Sequence, residues 1–461
     1  MNISDLPTRY QDLWNGTRVA SQGPLRLVDV KSLIRGQIRF VSSASYHIIS
    51  YVWGGSCEGD GMFARLSPFS IDGLHVAAKI CNEIGATCIW LDALCINQCN
   101  DDNGKREKGR EIPNMGTYYA NAIQTIVFPS GLGVLSSLID NPVPRWFTRA
   151  WTLQEHQKSR ECIFIFSRSM HVFMDVSTLG GPLIHRIGSN YVSILGQHLS
   201  WCMMSLTGSV EGTPYKVDRT QWKNVDRESF LLMEHRPDNK CDIVQKAMLR
   251  NSTKEEDKVY CLLSLFDIVI DVEYDVGISS VLRRLLVRLP SDDIAKLLVA
   301  NWYPSDNIPS DLCSLPTFEK TTAALWFHVE NVMCKCNYVH GKGVQIKAYT
   351  IDRNIAIAKD HGEDYLSNTD NLSDIQTVAL KLTPSCPQYA YGVTKYYGNV
   401  KLIVVGTYAW STSVLTGYRC EAGKWVCCLM CVRTTNAYRK VGMCLLDIKE
   451  CNIQEETLLL G

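Results

Sequence analysis

A parallel sheet covered by helices on both faces, followed by helical and then β-rich material, is the fold class that this 461-residue sequence predicts. Three observations carry that prediction. Short β-rich apolar runs alternate with helical periodicity between about residues 40 and 170, helical stripes continue to about 310, and long β-rich runs dominate afterwards.

The first run, YHIISYVW at 46–53, ends at Gly54 and Gly55 and reads as a buried strand followed by a tight loop. A loop with Gly59, Gly61 and Pro68 leads to a helix from about Asp72. Its apolar residues Leu74, Ala77, Cys81 and Ile84 recur at helical spacing, and Gly85 supplies a stop. TCIWLDALCINQ brings a second buried strand, Cys88 to Leu91, which delivers Asp92 to its carboxyl end. The hydrophilic CNDDNGKREKG reads as a loop. A helix is expected from near Pro113 through Tyr118 and Ala122, because proline is tolerated in a first turn. QTIVFPS is the third strand, RAWTLQE lies on a helix placed from near Pro144, and ECIFIF is the fourth strand. This alternation predicts ligands collecting at the carboxyl ends of the strands.

Further on, NSTKEEDKVYCLLSLF at 251–266 reads as a helix capped by Ser252 or Thr253, with Val259, Leu262, Leu263 and Phe266 on one stripe. DVGISSVLRRLLVRL and DIAKLLVA continue the helical material. KLIVVGTYAW, KWVCCLMCV and MCLLDI read as strands. The expected division is an N-terminal extension at 1–39, an α/β domain at 40–170, a mostly helical region at 171–310 and a β-rich region at 311–461.

With 46% hydrophobic and 20% charged residues the chain is ordinary globular material, and its 47 basic and 47 acidic side chains cancel. No overall field draws it to nucleic acid or to an anionic membrane. MNISDLPTRYQDLWNG lacks the apolar core of a secretory signal, and no later stretch reaches about 18 apolar residues. The expectation is a cytoplasmic protein without a membrane span. Its 19 cysteines then read as reduced thiols, and the sequons at Asn15, Asn251 and Asn371 as silent. Two clusters invite a metal test: Cys334 and Cys336 with His340, and Cys420, Cys427, Cys428 and Cys431 with Cys444 and Cys451. Only Cys428 and Cys431 have C-x2-C spacing, so small core hydrophobes are favoured over a zinc site. His361 in DHGED lacks partners at ligand spacing and reads as part of a solvated loop.

Phosphate loops, a nucleophile elbow and H-E-x-x-H are all absent from the sequence. What remains is a set of residues at strand and helix ends: Ser50 and Trp53 in SYVWG, Asp92, Asn97 and Gln98 in LDALCINQ, and Arg149, Trp151, Gln154 and Glu155 in RAWTLQE. On a doubly wound sheet such ends converge on one crevice. Structural roles compete: Ser50 as a strand-end hydrogen-bonding group, Asp92 as a turn acid, and the two tryptophans as core. Trp151 and Glu155 stand one helical turn apart on one face, an arrangement compatible with a half-buried acid.

SYVWG, WLDALCINQ, EKGREIPNMGTYYANA and RAWTLQE, in this order, closely resemble the signature blocks of the heterokaryon incompatibility (HET) domain family of filamentous fungi. EEDKVYCLLSLF and VEYD look like the segment that commonly follows that domain, and YRKVGMCLLDI resembles the β-rich end of such proteins. Two departures are Gly55, where the family usually has an acidic residue, and a longer NDDNGKR loop. The resemblance implies a flavodoxin-like domain acting in self/nonself recognition and programmed cell death, as a homo-oligomer or with a homotypic domain partner.

A more distant resemblance is to TIR domains, in which a strand-end serine motif is followed by a W-C-x-x-E type helix. In enzymatic TIR domains that glutamate cleaves NAD at the nicotinamide–ribose bond. The resemblance implies Glu155 as the catalytic carboxylate with Trp151 beside it, and the crevice residues Ser50, Trp53, Asp92, Asn97 and Arg149, with Trp151, are the candidates for binding substrate. No resident cofactor or metal is then expected, and NAD enters as substrate. The alternative is a non-catalytic binding module with RAWTLQE as a core or interface element.

Overall fold

The structure is a computed structural model. It describes residues 1, 3–5, 10–14, 23–43, 45–53, 71–99, 101–129, 131–132, 145–167, 184–187, 191–195, 240–299, 310–312, 315, 329–356, 377–383, 386–391, 397–408, 425–447 and 454–461. The expected glycine loop after residue 53, Pro144, His361, Cys420 and Cys451, together with the sequon residues Asn15 and Asn371, lie outside them. The chain divides into two compact units, Met1–Pro237 with Leu249–Glu273, and Asp238–Met248 with Tyr274–Gly461.

The first unit is mixed α/β. In chain order it contains β1 (Leu27–Asp29), α1 (Val30–Ile34), β2 (Phe40–Val41), β3 (His47–Tyr51), α2 (Ile71–Glu83), β4 (Cys88–Trp90), α3 (Asp92–Cys95), α4 (Asp102–Asn121), β5 (Thr125–Phe128), α5 (Ala150–Lys158), β6 (Cys162–Ser167), β7 (Ile184–Ile187), β8 (Tyr191–Leu195) and α7 (Asp257–Tyr260). The remaining helix of this stretch of chain, α6 (Lys240–Met248), belongs to the second unit.

The sheet order is β2-β1-β4-β3-β5-β6-β8-β7. β4, β3, β5 and β6 are mutually parallel, as the alternation of strands and helices predicts. Antiparallel strands extend both edges, β1 and β2 beside β4, and β8 and β7 beside β6, so the sheet is mostly but not wholly parallel. Every residue of β3 is buried, as suits a strand flanked on both sides and covered on its faces. Strand order reverses between β3 and β5, the place where such sheets open a crevice at their carboxyl ends.

Most elements fall where the patterns put them. α2 buries Leu74, Ala77 and Cys81, and Gly85 follows with φ +88°, the left-handed stop that a side chain would resist. Three boundaries differ. α4 begins at Asp102, not near Pro113, so the supposed loop is its first half. Asp101 caps it by accepting from the Gly104 amide at 2.6 Å. Its buried face there is acidic: Glu107 pairs with the fully buried Arg26 at 2.9 Å, and Glu111 accepts from the Leu25 amide and the Tyr118 hydroxyl. A helix that buries carboxylates has no apolar stripe to read. Pro113 sits inside it at the cost of the amide that would reach the Gly109 carbonyl.

α5 begins at Ala150, after a 3-10 turn at Arg145–Thr148. Of 251–266, only Asp257–Tyr260 is α-helical; its N-cap position is Glu256, and turns with i→i−3 bonds such as Leu262 to Val259 follow. Val259, Leu262, Leu263 and Phe266 are nevertheless buried, so the stripe marked burial correctly without marking a continuous helix.

The second unit is rich in strands. After α8 (Ile278–Arg288) and α9 (Ser291–Leu298) come β9 (Val329–Val332), β10 (Lys335–Val339), β11 (Gly343–Ala356), β12 (Thr377–Thr383), β13 (Cys386–Tyr391), β14 (Tyr397–Tyr408), β15 (Trp425–Arg433), β16 (Tyr438–Asp447) and β17 (Gln454–Leu460). Its sheet runs β10-β11-β14-β15-β16-β13-β12, with β17 pairing both β11 and β16 and β9 pairing β14. Arg283 grips Asp311 with two donors at 2.7 and 2.9 Å, holding that carboxyl down to about 2, and the Tyr338 hydroxyl donates to the same group. Cys427, Cys428 and Cys431 are buried thiols in β15. Among the described residues no three His, Cys, Asp or Glu side chains come together as a metal site, and no helix is long and apolar enough to cross a membrane.

Candidate functional site

Two of the sequence's polar residues meet at the carboxyl end of β3. The Ser50 hydroxyl, 1% exposed on the central strand, donates to the carboxylate of Glu155, which lies 105 residues away in the chain on α5 and is itself buried. The direction of that bond follows from the third partner. Trp146 donates its indole N–H to the Ser50 oxygen at 2.6 Å, and an indole can only donate, so the single serine proton turns to Glu155. Trp146 cannot swing away. Its ring is held edge-on by Phe147, Phe164 and His156 at centroid distances of 5.1, 5.3 and 5.8 Å.

From α4, the buried Tyr119 hydroxyl gives Glu155 a second hydrogen bond. These donors do not offset the loss of water. Burial, helped by the negative charge of Asp92 and opposed by Ser50, Tyr119 and the Arg149 cation, raises the Glu155 carboxyl from 4.5 to about 7. The same surroundings push the Tyr119 hydroxyl well above its ordinary value. Glu155 therefore divides between acid and anion near neutral pH, the poise needed to take up or release a proton there.

Asp92 stands beside this group at the end of β4, as the first residue of α3. It accepts from the Trp53 indole at 2.8 Å and from the Ala93 amide at 2.7 Å, and it keeps part of its surface open to solvent. Its pKa is raised by burial, against the opposing effects of Trp53, Ala93, Tyr51 and Arg149. Trp53 is 36% exposed, which leaves an indole face available beside a carboxylate.

The remaining sequence candidates have distinct placements. Arg149 is the residue before α5, half-buried, and its charge acts on both carboxylates. Trp151 is half-buried one turn before Glu155. Asn97 spends its side-chain oxygen on the Cys99 amide at 2.9 Å, shaping the loop after α3. Gln98 donates to the Ile96 carbonyl in the same loop.

Sequence reasoning missed Trp146, Tyr119 and Arg250. Tyr119 could have been found, since it sits in the block EKGREIPNMGTYYANA already singled out. Trp146, five residues before the more conspicuous Trp151, and Arg250, far along the chain, carry no local signal.

A domain of this class, a mostly parallel α/β sheet holding a buried carboxylate at its strand ends, can be compared with known families. Residues 46–138 match the family model described as Heterokaryon incompatibility protein (HET), the family that the ordered blocks resemble. The match includes Ser50, Trp53, Asp92, Asn97 and Tyr119 and stops before Trp146 and Glu155. A curated relative, the Vegetative incompatibility protein HET-E-1 of Podospora anserina, is 24% identical over 263 residues, which is 54% of this chain and 16% of that protein. The chain thus spans about a sixth of the length of that relative. No solved structure matches.

Proposed function

We propose that this chain acts in heterokaryon incompatibility, signalling self/nonself recognition and programmed cell death through a domain that self-associates or binds a like domain. The HET match and the likeness to a vegetative incompatibility protein support the biological role. The single observation that ties the role to a site is the Ser50–Glu155 hydrogen bond. It joins the first and last of the four sequence blocks at one strand end. Expression of the full chain in a fungal host tests the role: cell death is expected with the wild type, and its absence in an expressing, folded chain overturns it.

A second reading, NAD nucleosidase activity with a TIR-like layout, is favoured by the state of Glu155. Nicotinamide in NAD carries positive charge and leaves as a neutral molecule, so no group need protonate it. An anion beside the ribose stabilises the oxocarbenium-like transition state, and water completes hydrolysis to ADP-ribose with release of a proton. Glu155 above pH 7 supplies such an anion. Trp53 and Trp151 would flank the nicotinamide, with Asp92, Asn97 and Arg149 toward the rest of the substrate. The assay is release of free nicotinamide from NAD by concentrated full-length protein. Activity in the wild type that disappears in Glu155→Gln supports this reading, and equal release from both overturns it. Cell death that survives Glu155→Gln separates the signalling role from this chemistry.

A further inference from the structure

We infer that Arg250, with Asn251, is a positioning element of the carboxylate site: the pair holds the first turn of the Glu155 helix and places a buried counter-charge near its carboxylate. This rests on the reading of Glu155 as the working group of the domain. It concerns residues that lie outside the matched region 46–138 and outside the expected 40–170 domain.

α5 starts without a cap of its own. Arg149 occupies the N-cap position and makes no side-chain capping bond, so the helix's first amides need partners from elsewhere. The first of them, that of Ala150, finds its partner in a segment a hundred residues later. The Ala150 amide donates to the Asn251 carbonyl at 2.9 Å, and the Asn251 amide donates back to the Thr148 carbonyl at 2.5 Å, so residues 148–150 and 251 form a short parallel bridge. Arg250 completes the grip. One of its terminal nitrogens donates to the Arg149 carbonyl at 2.9 Å and to the Thr152 hydroxyl at 2.7 Å. Thr152 in turn donates to the carbonyls of Trp146 and Arg149. The same guanidinium thus fixes both the first turn of α5 and the turn that carries the Trp146 indole.

Arg250 is 1% exposed, and its Nε has no hydrogen-bond partner among the described residues. A cation so placed is strongly desolvated, and burial lowers its pKa to about 10, so it remains charged at neutral pH. The negative charge of ionised Glu155 favours its cationic form. By reciprocity the Arg250 charge favours the Glu155 anion. The charged and titratable groups facing Glu155 are then Asp92 from α3, Tyr119 from α4, Arg149 at the start of its own helix, and Arg250. Asp92 opposes ionisation of Glu155, whereas the hydrogen bonds from Ser50 and Tyr119 and the charge of Arg149 favour it, and Arg250 adds a second buried cation on that side.

The test follows Glu155 protonation directly in the full chain by infrared spectroscopy with isotope-labelled glutamate, assigned by subtracting the Glu155→Gln spectrum. Hydrogen exchange of the amides at 150–153 is measured beside it. Wild type is expected to titrate at about 7. Arg250→Gln should move the midpoint upward by about one pH unit, while Arg250→Lys, which restores the charge, should return it to within about half a unit. Arg250→Lys should still exchange residues 150–153 about tenfold faster, because a point charge does not reproduce the guanidinium's fixed fork. A folded Arg250→Gln that titrates like wild type overturns the inference. Should Arg250→Gln not fold, Arg250→Lys decides: unchanged exchange at 150–153 overturns it and faster exchange confined there supports it. Neither readout needs catalysis, so a wild type that leaves NAD intact defeats the second functional reading and not this one.

Discussion

Replacing Glu155 by glutamine should make the first unit more resistant to alkaline pH. The wild-type carboxyl has an ordinary value of 4.5 and is raised by burial to about 7. Below about pH 4.5 both the folded and unfolded chains hold the proton, and the group costs nothing. Between about 4.5 and 7 the folded chain keeps a proton that the unfolded chain releases, so stability falls as pH rises. Above 7 the full cost is present. A span of about 2.5 pH units corresponds to about 3 kcal/mol. Glutamine does not titrate, so this component of the pH dependence should vanish. Its extra amide donor, set among the donors Ser50 and Tyr119, costs about 1–3 kcal/mol at every pH and leaves the slope unaffected. Native-state hydrogen exchange of the β3 and β5 amides, compared at pH 5 and pH 8.5, reads this unit separately from the other. Wild type should lose about 2.5 kcal/mol more than Glu155→Gln across that range. Parallel pH dependences, agreeing within about 0.5 kcal/mol, would refute the placement of an ionisable, desolvated Glu155 at the strand end.

Four further outcomes are expected. Ser50→Ala removes the largest influence opposing the rise and orphans the Trp146 indole, so the titration of Glu155, followed by the same exchange experiment, should move above about 7 with a loss of about 1–3 kcal/mol. In Glu107→Gln the buried Arg26 loses its anion, and chemical denaturation of the first unit should report a loss of about 3–5 kcal/mol; a loss under about 1 would contradict the buried pair. Gly116→Ala sets a methyl carbon 2.4 Å from the Ser264 Cβ, which should cost about 1–3 kcal/mol, and Ser264→Gly in the same chain should recover most of it in a double-mutant cycle. The second unit should respond to pH with the opposite sign. Asp311 is held to about 2 by Arg283, so its stabilisation of about 2 kcal/mol is present above about pH 4 and lost as pH falls toward 2. Asp311→Asn should flatten that acid limb in hydrogen exchange of β10 and β11.

Local patterns made much of the α/β unit legible. β3, β4, β5 and β6 are short apolar runs bounded by turn residues, and α2 has an apolar face followed by a glycine stop, so period and punctuation suffice to find them. The pattern failed where burial is polar. The first half of α4 looks like a solvated loop because its inward residues are Glu107 and Glu111, whose partners Arg26 and Leu25 lie about eighty residues earlier. The pattern also overreached at 251–266, where apolar spacing is compatible with a chain of turns as well as with a helix.

For the site, local sequence was enough to name the polar candidates and to put them at element ends: a serine near the end of a strand, an aspartate just after the next strand, and a carboxylate one turn after a tryptophan. Spacing along a helix or strand is a property of the local backbone, so it can be read from neighbours in the chain. How these groups meet one another is set by packing between distant elements. Ser50 meets Glu155 because β3 and α5 converge at one end of the sheet, Trp146 rather than Trp151 fixes the serine, and Arg250 arrives from a distant segment to hold the helix. Desolvation and charge act through space, so the protonation of Glu155 depends on packing that no local stretch of sequence encodes.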